Sequence, residues 1–165
     1  YAPQFSDNYK TGLGLGFSSL FTLNQAPSMI ITADAGLKLQ YFRLNEEKFQ
    51  IEPIPVSAKG GAFITSFSGG VSFILLPQLE SLYEIYISPG LEGHIIYSSL
   101  ERNYSSFPDL NTKETATKFN FGLSNKIGAN LIFETFYIGI SYNMHFIFGN
   151  EDFNEFAINF TKEIF

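Results

Sequence analysis

The chain has no cysteine, no tryptophan and few charged residues. Without cysteine there is no disulfide, no thiolate metal site, no cysteine nucleophile and no lipid carried on a cysteine of this chain. An exported protein lacking disulfides fits a bacterial envelope better than a small animal secreted domain. Charged residues make up 16% of the sequence, against roughly 25% in an ordinary soluble domain. Lys and Arg number 10 against 16 Asp and Glu, for a net charge of −6. That sign excludes nucleic acid as a partner, because phosphates demand a basic surface. No basic cluster is long enough to dock anionic lipid headgroups. No apolar run approaches the roughly 18 residues of a transmembrane helix. The start, Tyr1-Ala-Pro-Gln-Phe-Ser-Asp7, has neither a basic segment nor an apolar one, so an exported form is expected to be a mature chain with its signal removed.

What the chain does have is apolar and aromatic surface, 45% and 17% of residues, the latter from 19 Phe and 9 Tyr. These side chains recur with period two. From Ile31 to Tyr41 every odd position is apolar and every even one polar or small, including Asp34 and Lys38. Alternate side chains of a strand point to opposite faces, and helical periodicity is nearly absent. The alternation predicts one all-β domain over residues 1–165, with eight antiparallel strands at 11–21, 29–44, 49–65, 71–76, 82–98, 115–124, 131–148 and 153–165. Connections are expected at 24–28, 45–48, 66–70, 77–81, 125–130 and 149–152, with one long loop at 99–114. In the third strand Ile54, Val56, Ala58 and Ala62 share a face opposite Ser57, Lys59 and Gly61, and Pro53 and Pro55 belong near its beginning or at a bulge. Parity survives across Pro89-Gly90, which predicts a continuous strand there, with room for a bulge.

Eight strands suit an up-and-down barrel whose interior is filled by side chains. The remaining question is which face lies inside. A soluble lipocalin-like carrier of apolar ligands would put the apolar face in and stud the outside with Lys and Glu. Here the second face is Gly, Ser, Thr, Asn and Tyr with scattered charge. Gly12, Gly14, Gly16, Gly36, Gly90, Gly122 and Gly139 share the polar parity, as a narrow interior requires. The pattern therefore favours a transmembrane barrel, with apolar residues toward lipid and polar ones toward a lumen. Tyr41, Tyr83, Tyr97, Tyr142, Phe146, Phe148, Phe153 and Phe160 lie near strand ends or on the apolar parity, as interfacial aromatic girdles require.

The continuous meander, the segments Tyr86-Ile-Ser-Pro-Gly-Leu-Glu-Gly93 and Gly12-Leu-Gly-Leu-Gly-Phe17, and the terminal Phe165 resemble the OmpA/OmpX type of bacterial outer-membrane barrel. The Phe-, Ile- and Asn-rich, cysteine-free character resembles OmpA-like surface proteins of spirochaetes. The resemblance implies an outer-membrane location, loops exposed at the cell surface, and adhesion or host interaction as functions. A C-terminal aromatic is that family's insertion signal, on the lipid-facing parity. In this chain Phe156, Ile158 and Phe160 lie on the parity opposite to Phe165, a departure from the family pattern.

Candidate chemistry lies on the lumen parity: Asp34, Lys38, Lys59, Glu84, Glu92, His94 and His145. These residues are expected to form a neutralising hydrogen-bonded network, because unpaired charge away from water is expensive. The competing reading is a metal site or proton-transfer pair. Neither histidine sits in a ligand-spaced motif, so no metal and no cofactor are assigned. Likeness to barrel deacylases would need Ser two residues after His. Ile96 follows His94 and Ile147 follows His145 at that spacing, and no Gly-x-Ser-x-Gly elbow occurs. No catalytic residue is assigned and the chain is not expected to be an enzyme. Gly12–Gly16 lacks the Lys and the helix of a phosphate loop.

Function is then expected on the loops. Glu101, Arg102, Tyr104, Phe107, Asp109, Lys113 and Glu114 make the 99–114 loop the candidate patch for host or environmental macromolecules. The alternation places 24–28, 66–70, 99–114 and 149–152 on one rim, and 45–48, 77–81 and 125–130 on the other. The expected protein is a monomeric outer-membrane barrel whose partners are the lipid bilayer and a host protein ligand. Its alternatives are a structural envelope protein or narrow pore, and the soluble carrier.

Overall fold

The structure, a computed structural model, describes residues 9–49, 56–75, 82–133, 136–148 and 153–162. They form one antiparallel sheet of seven strands: β1 (Tyr9–Ala26), β2 (Met29–Leu44), β3 (Val56–Leu75), β4 (Tyr83–Tyr104), β5 (Thr112–Ile132), β6 (Phe136–Ile147) and β7 (Phe153–Lys162). Each strand pairs with the next in sequence, an up-and-down meander. The sheet curls into a half-barrel, far enough for Lys38 on β2 to reach Glu155 on β7 at 2.8 Å. Two short 3-10 turns, Glu46–Phe49 and Pro108–Leu110, are the only helical pieces among the described residues.

Seven strands stand where eight were expected, because the predicted turn at 66–70 is strand and merges two expected strands into β3; the predicted turn at 125–130 is strand as well, so that β5 runs on to Ile132 and β6 begins at Phe136. Residues 66–70, small and polar, run through the middle of β3, with Leu37↔Phe67 and Asp34↔Gly70 in register. Residues 125–130 pair on both sides, Asn125 with Pro89 and Met144, Asn130 with Glu84 and Gly139. The small residues there serve close approach of strands. A Cβ on Gly70 would stand 2.5 Å from the Pro89 carbonyl oxygen. The long loop also shrinks: 99–104 belong to β4 and 112–114 to β5, leaving 105–111 as the connection. That connection shares a rim with Leu44 and Ile147, opposite the 27–28 turn, so the rim assignment is corrected with the strand count. Expectations for residues 50–55, 77–81 and 149–152, and for Phe165, lie outside the described residues.

The strand across Pro89-Gly90 is continuous and unbulged. Gly70 pairs with Gly90 and Phe73 with Ile87 in one register, the ladder skipping only the stretch where Pro89 has no N–H to give.

Alternation sets the two faces. On β2 the odd positions point outward and the even ones inward, as the sequence predicted, with Thr32 and Gln40 buried and Leu37, Leu39 and Tyr41 exposed. On β4 and β6 the parity also follows expectation, Glu84, Glu92, His94 and His145 being buried. On β3 it is reversed. Val56, Ala58 and Ala62 are buried, and Lys59 points outward to solvent rather than into the interior. Small apolar residues are needed there beneath Phe42, and a rim position facing water accepts a lysine at little cost.

One buried apolar cluster forms: Phe42, Ala62, Ile64, Ile96 and Ile147. Along β2, β3, β4 and β6, Phe42, Ile64, Ile96 and Ile147 stand two positions rimward of Gln40, Ser66, His94 and His145, with Ala62 two positions further on. The interior is thus layered, an apolar plug above a polar floor. Beside the plug, Gly60 adopts φ +149°, and a Cβ there would strike the Ser99 carbonyl oxygen. Gly60→Ala is expected to lower stability by about 1–3 kcal/mol, read as an earlier urea unfolding midpoint with unchanged slope.

Candidate functional site

The concave face gathers the polar side chains below the plug. Strand β4 contributes Glu92 and His94 from successive inward positions, and β6 brings His145 across from them. His145 Nδ1 lies 2.8 Å from both Glu92 oxygens, and His94 Nε2 is 3.2 Å from Glu92 Oε1. Ser66 Oγ is hydrogen-bonded to His94 Nδ1 at 2.8 Å. The two rings stand edge to face, 6.3 Å between centroids. His94 is fully buried, at 0% exposure. Ligand-capable atoms of Glu92, His94 and His145 all fall within 4.8 Å of one another.

A second carboxylate continues the network. Glu155 Oε2 is 3.9 Å from His145 Nε2. Glu155 also accepts hydrogen bonds from Lys38 at 2.8 and 2.9 Å, from Gln40 at 2.7 Å and from Asn143 at 3.2 Å. Further from the plug, Ser72 and Ser88 donate to Asp34 Oδ2 at 2.7 and 2.6 Å. Asn130 donates to Glu84 at 2.6 Å, and Asn159 to the Tyr86 hydroxyl at 3.2 Å. A cavity of about 440 Å³ borders this floor on the side of β1 and β7, lined among others by Asp34, Lys38, Glu92, Lys126, His145 and Glu155.

Of the expected lumen set, Asp34, Lys38, Glu84, Glu92, His94 and His145 face the interior and Lys59 does not. Glu155, Lys126, Ser66 and Gln40 were missed. Glu155 was legible, since it shares the parity of Asn159 and Thr161 opposite Phe156, Ile158 and Phe160. Lys126 and Ser66 were hidden by the two false turns.

Ser66, His94 and Glu92 stand in the order of nucleophile, base and carboxylate. Acyl transfer further needs N–H groups aimed at an oxyanion. Ser66 sits mid-strand, in register with Lys38 and His94 on its two sides, so the N–H groups around it are spent in the ladder. Its hydroxyl is buried. The arrangement suits holding a proton or a cation better than attacking an ester.

The candidate loop patch is dispersed by the fold. Arg102 on β4 pairs with Glu114 on β5 at 2.9 Å, and Glu101 accepts from Asn103 at 3.1 Å. The Tyr104 N–H donates to Asn111 Oδ1 at 2.8 Å, closing the connection. Phe107 and Leu110 are exposed at its tip, with Asp109 in the 3-10 turn and Lys113 exposed on β5. At the same rim the Arg43 guanidinium donates to Glu46 at 2.8 Å and holds its carboxyl below the usual carboxylate range. Strand β6 begins pairing with β5 only at Gly122, so the β4–β5 hairpin stands proud of β6 and β7. Set against protein-family models, curated proteins and solved structures, the chain matches none.

Proposed function

We propose that the chain is an OmpA/OmpX-like outer-membrane barrel protein of the bacterial cell surface, non-enzymatic and monomeric, whose convex face meets lipid. The observation that carries this reading is the inverted burial. The inside holds Glu84, Glu92, His94, His145 and Glu155, while Leu13, Phe17, Leu91, Phe121, Ile140 and Ile158 stand exposed outside. From Tyr83 to Tyr97 the outward positions of β4 carry no charge, and a tyrosine stands at each end, as interfacial anchors do. Outward charge begins beyond, at Glu101 on β4, Lys59 on β3 and Arg43 on β2. Such a face in water would be far larger than the few hundred Å² of apolar patch that a soluble monomer tolerates.

The polar, charged interior argues against a carrier of apolar ligands, and the apolar plug argues against an open pore. Hydrocarbon tolerates no open sheet edge, so in a bilayer β1 and β7 close on each other as a seventh, parallel pair, or each pairs with a strand outside the seven. The β4–β5 hairpin, with Phe107 and Leu110 at its tip, is the surface on which a host or environmental macromolecule would dock.

The absence of tryptophan permits a direct test. Leu91→Trp and Phe107→Trp each introduce one indole. In vesicles whose acyl chains carry bromine, the fluorescence of Leu91→Trp is expected to be quenched severalfold and that of Phe107→Trp to be unaffected. The chain is also expected to require detergent and to migrate faster on gels when unboiled. A monodisperse, detergent-free monomer, or equal quenching of the two indoles, rejects the reading.

A further inference from the structure

We propose that Glu92, His94 and His145 form a binding site for a divalent transition-metal ion of the zinc class. The proposal depends on the interior alone and holds whether or not the convex face meets lipid. Two imidazoles and one carboxylate, converging from two strands, are a donor set that zinc accepts, with a fourth position left open. Ligand atoms on a tetrahedral ion held at about 2.1 Å stand about 3.4 Å apart. The Glu92 contacts of 2.8 Å to His145 and 3.2 Å to His94 both fall short of that spacing, and rotation of the side chains would open the site to admit the ion.

The surroundings orient the ligands. With a metal on Nε2 of His94, its remaining proton sits on Nδ1, where Ser66 Oγ at 2.8 Å accepts it. With a metal on Nδ1 of His145, Nε2 carries the proton, and Glu155 Oε2 stands 3.9 Å away, an ion-pair neighbour longer than a hydrogen bond. Glu155 is in turn fixed by Lys38, Gln40 and Asn143.

Charge supplies an independent argument. Below the plug, the described inward side chains include four carboxylates (Asp34, Glu84, Glu92, Glu155) and two lysines (Lys38, Lys126), an excess of two acidic groups apart from the histidines. Excess negative charge on buried side chains is costly, and one dication offsets it. The cavity bordering Glu92 and His145 offers the ion a way in and room for a water as fourth ligand.

The chain contains only two histidines, so a tag-free preparation gives a clean test. Refolded protein of residues 1–165, stripped with chelator, is titrated with Zn²⁺ by calorimetry and with Co²⁺ by visible absorption. One equivalent of Zn²⁺ is expected, with the intense absorption of four-coordinate Co²⁺. His145→Gln is expected to abolish both signals, and Ser66→Ala to weaken Zn²⁺ binding by about 10-fold. No binding by the wild-type chain overturns the site, and so does undiminished binding by His145→Gln. Should that variant fail to fold, the wild-type Co²⁺ spectrum decides: the pale absorption of the hydrated ion rejects the proposal.

Discussion

Leu91→Arg is expected to destabilise the protein in a lipid bilayer by about 2–4 kcal/mol. Leu91 is the outward residue near the middle of β4, 66% exposed, between Gly69 on β3 and Leu123 on β5. It has little packing to lose, so the effect isolates the medium it faces. In water the same replacement at an exposed strand position changes stability by no more than about 0.5 kcal/mol. The measurement is reversible urea unfolding in vesicles, wild type against variant. Ala116→Arg, on the projecting part of β5, serves as the reference and is expected to be close to neutral. A cost for Leu91→Arg no larger than for Ala116→Arg would place the convex face in water.

Glu155→Leu is expected to cost about 3–5 kcal/mol, the usual penalty for stripping one partner from a buried ion pair. Glu155 is 9% exposed and Lys38 26%, so the ammonium left behind is only partly able to recover water. The Gln40 and Asn143 amides lose an acceptor at the same time. Adding Lys38→Met removes the stranded charge, and the double variant is expected to recover a substantial part of the loss. The exposed Arg43–Glu46 pair at the rim offers the contrast, since Glu46→Ala should cost under about 1 kcal/mol. Equal losses for the single and double variants would show that Glu155 acts through packing rather than charge.

Much of this arrangement was legible in the sequence, because period two survives wherever one face is apolar. The alternation in β2, β4 and β6 located Asp34, Lys38, Glu92, His94 and His145 without any structure. It failed where composition imitated a turn. Ser66-Phe67-Ser68-Gly69-Gly70 reads as a loop by residue type, yet Phe67 keeps the outward parity of Phe63. In the same way Ile127 and Ala129 carry the alternation through the Asn125–Asn130 segment. Lys59 failed for a different reason. Inside the plug the inward residues are themselves apolar, so hydrophobicity no longer tells inside from outside. That His94 and His145 share the interior parity was legible, but their contact was not, since they are 51 residues apart and converge only through the pairing of β4, β5 and β6. What the sequence did contain was Ile96 and Ile147, each two residues beyond a histidine. They told against a deacylase dyad, and in the fold they are the plug.

That plug gives the interior a direction. Phe42, Ala62, Ile64, Ile96 and Ile147 lie between the charged floor and the rim bearing the β4–β5 hairpin. On the hairpin side the polar floor therefore meets hydrocarbon side chains, while the cavity beside β1 and β7 borders Glu92 from the flank. The half-barrel is a cup, apolar toward the hairpin and charged away from it. If it stands in a membrane, whatever it senses or stores in that cup comes from one compartment, while whatever docks on the hairpin comes from the other.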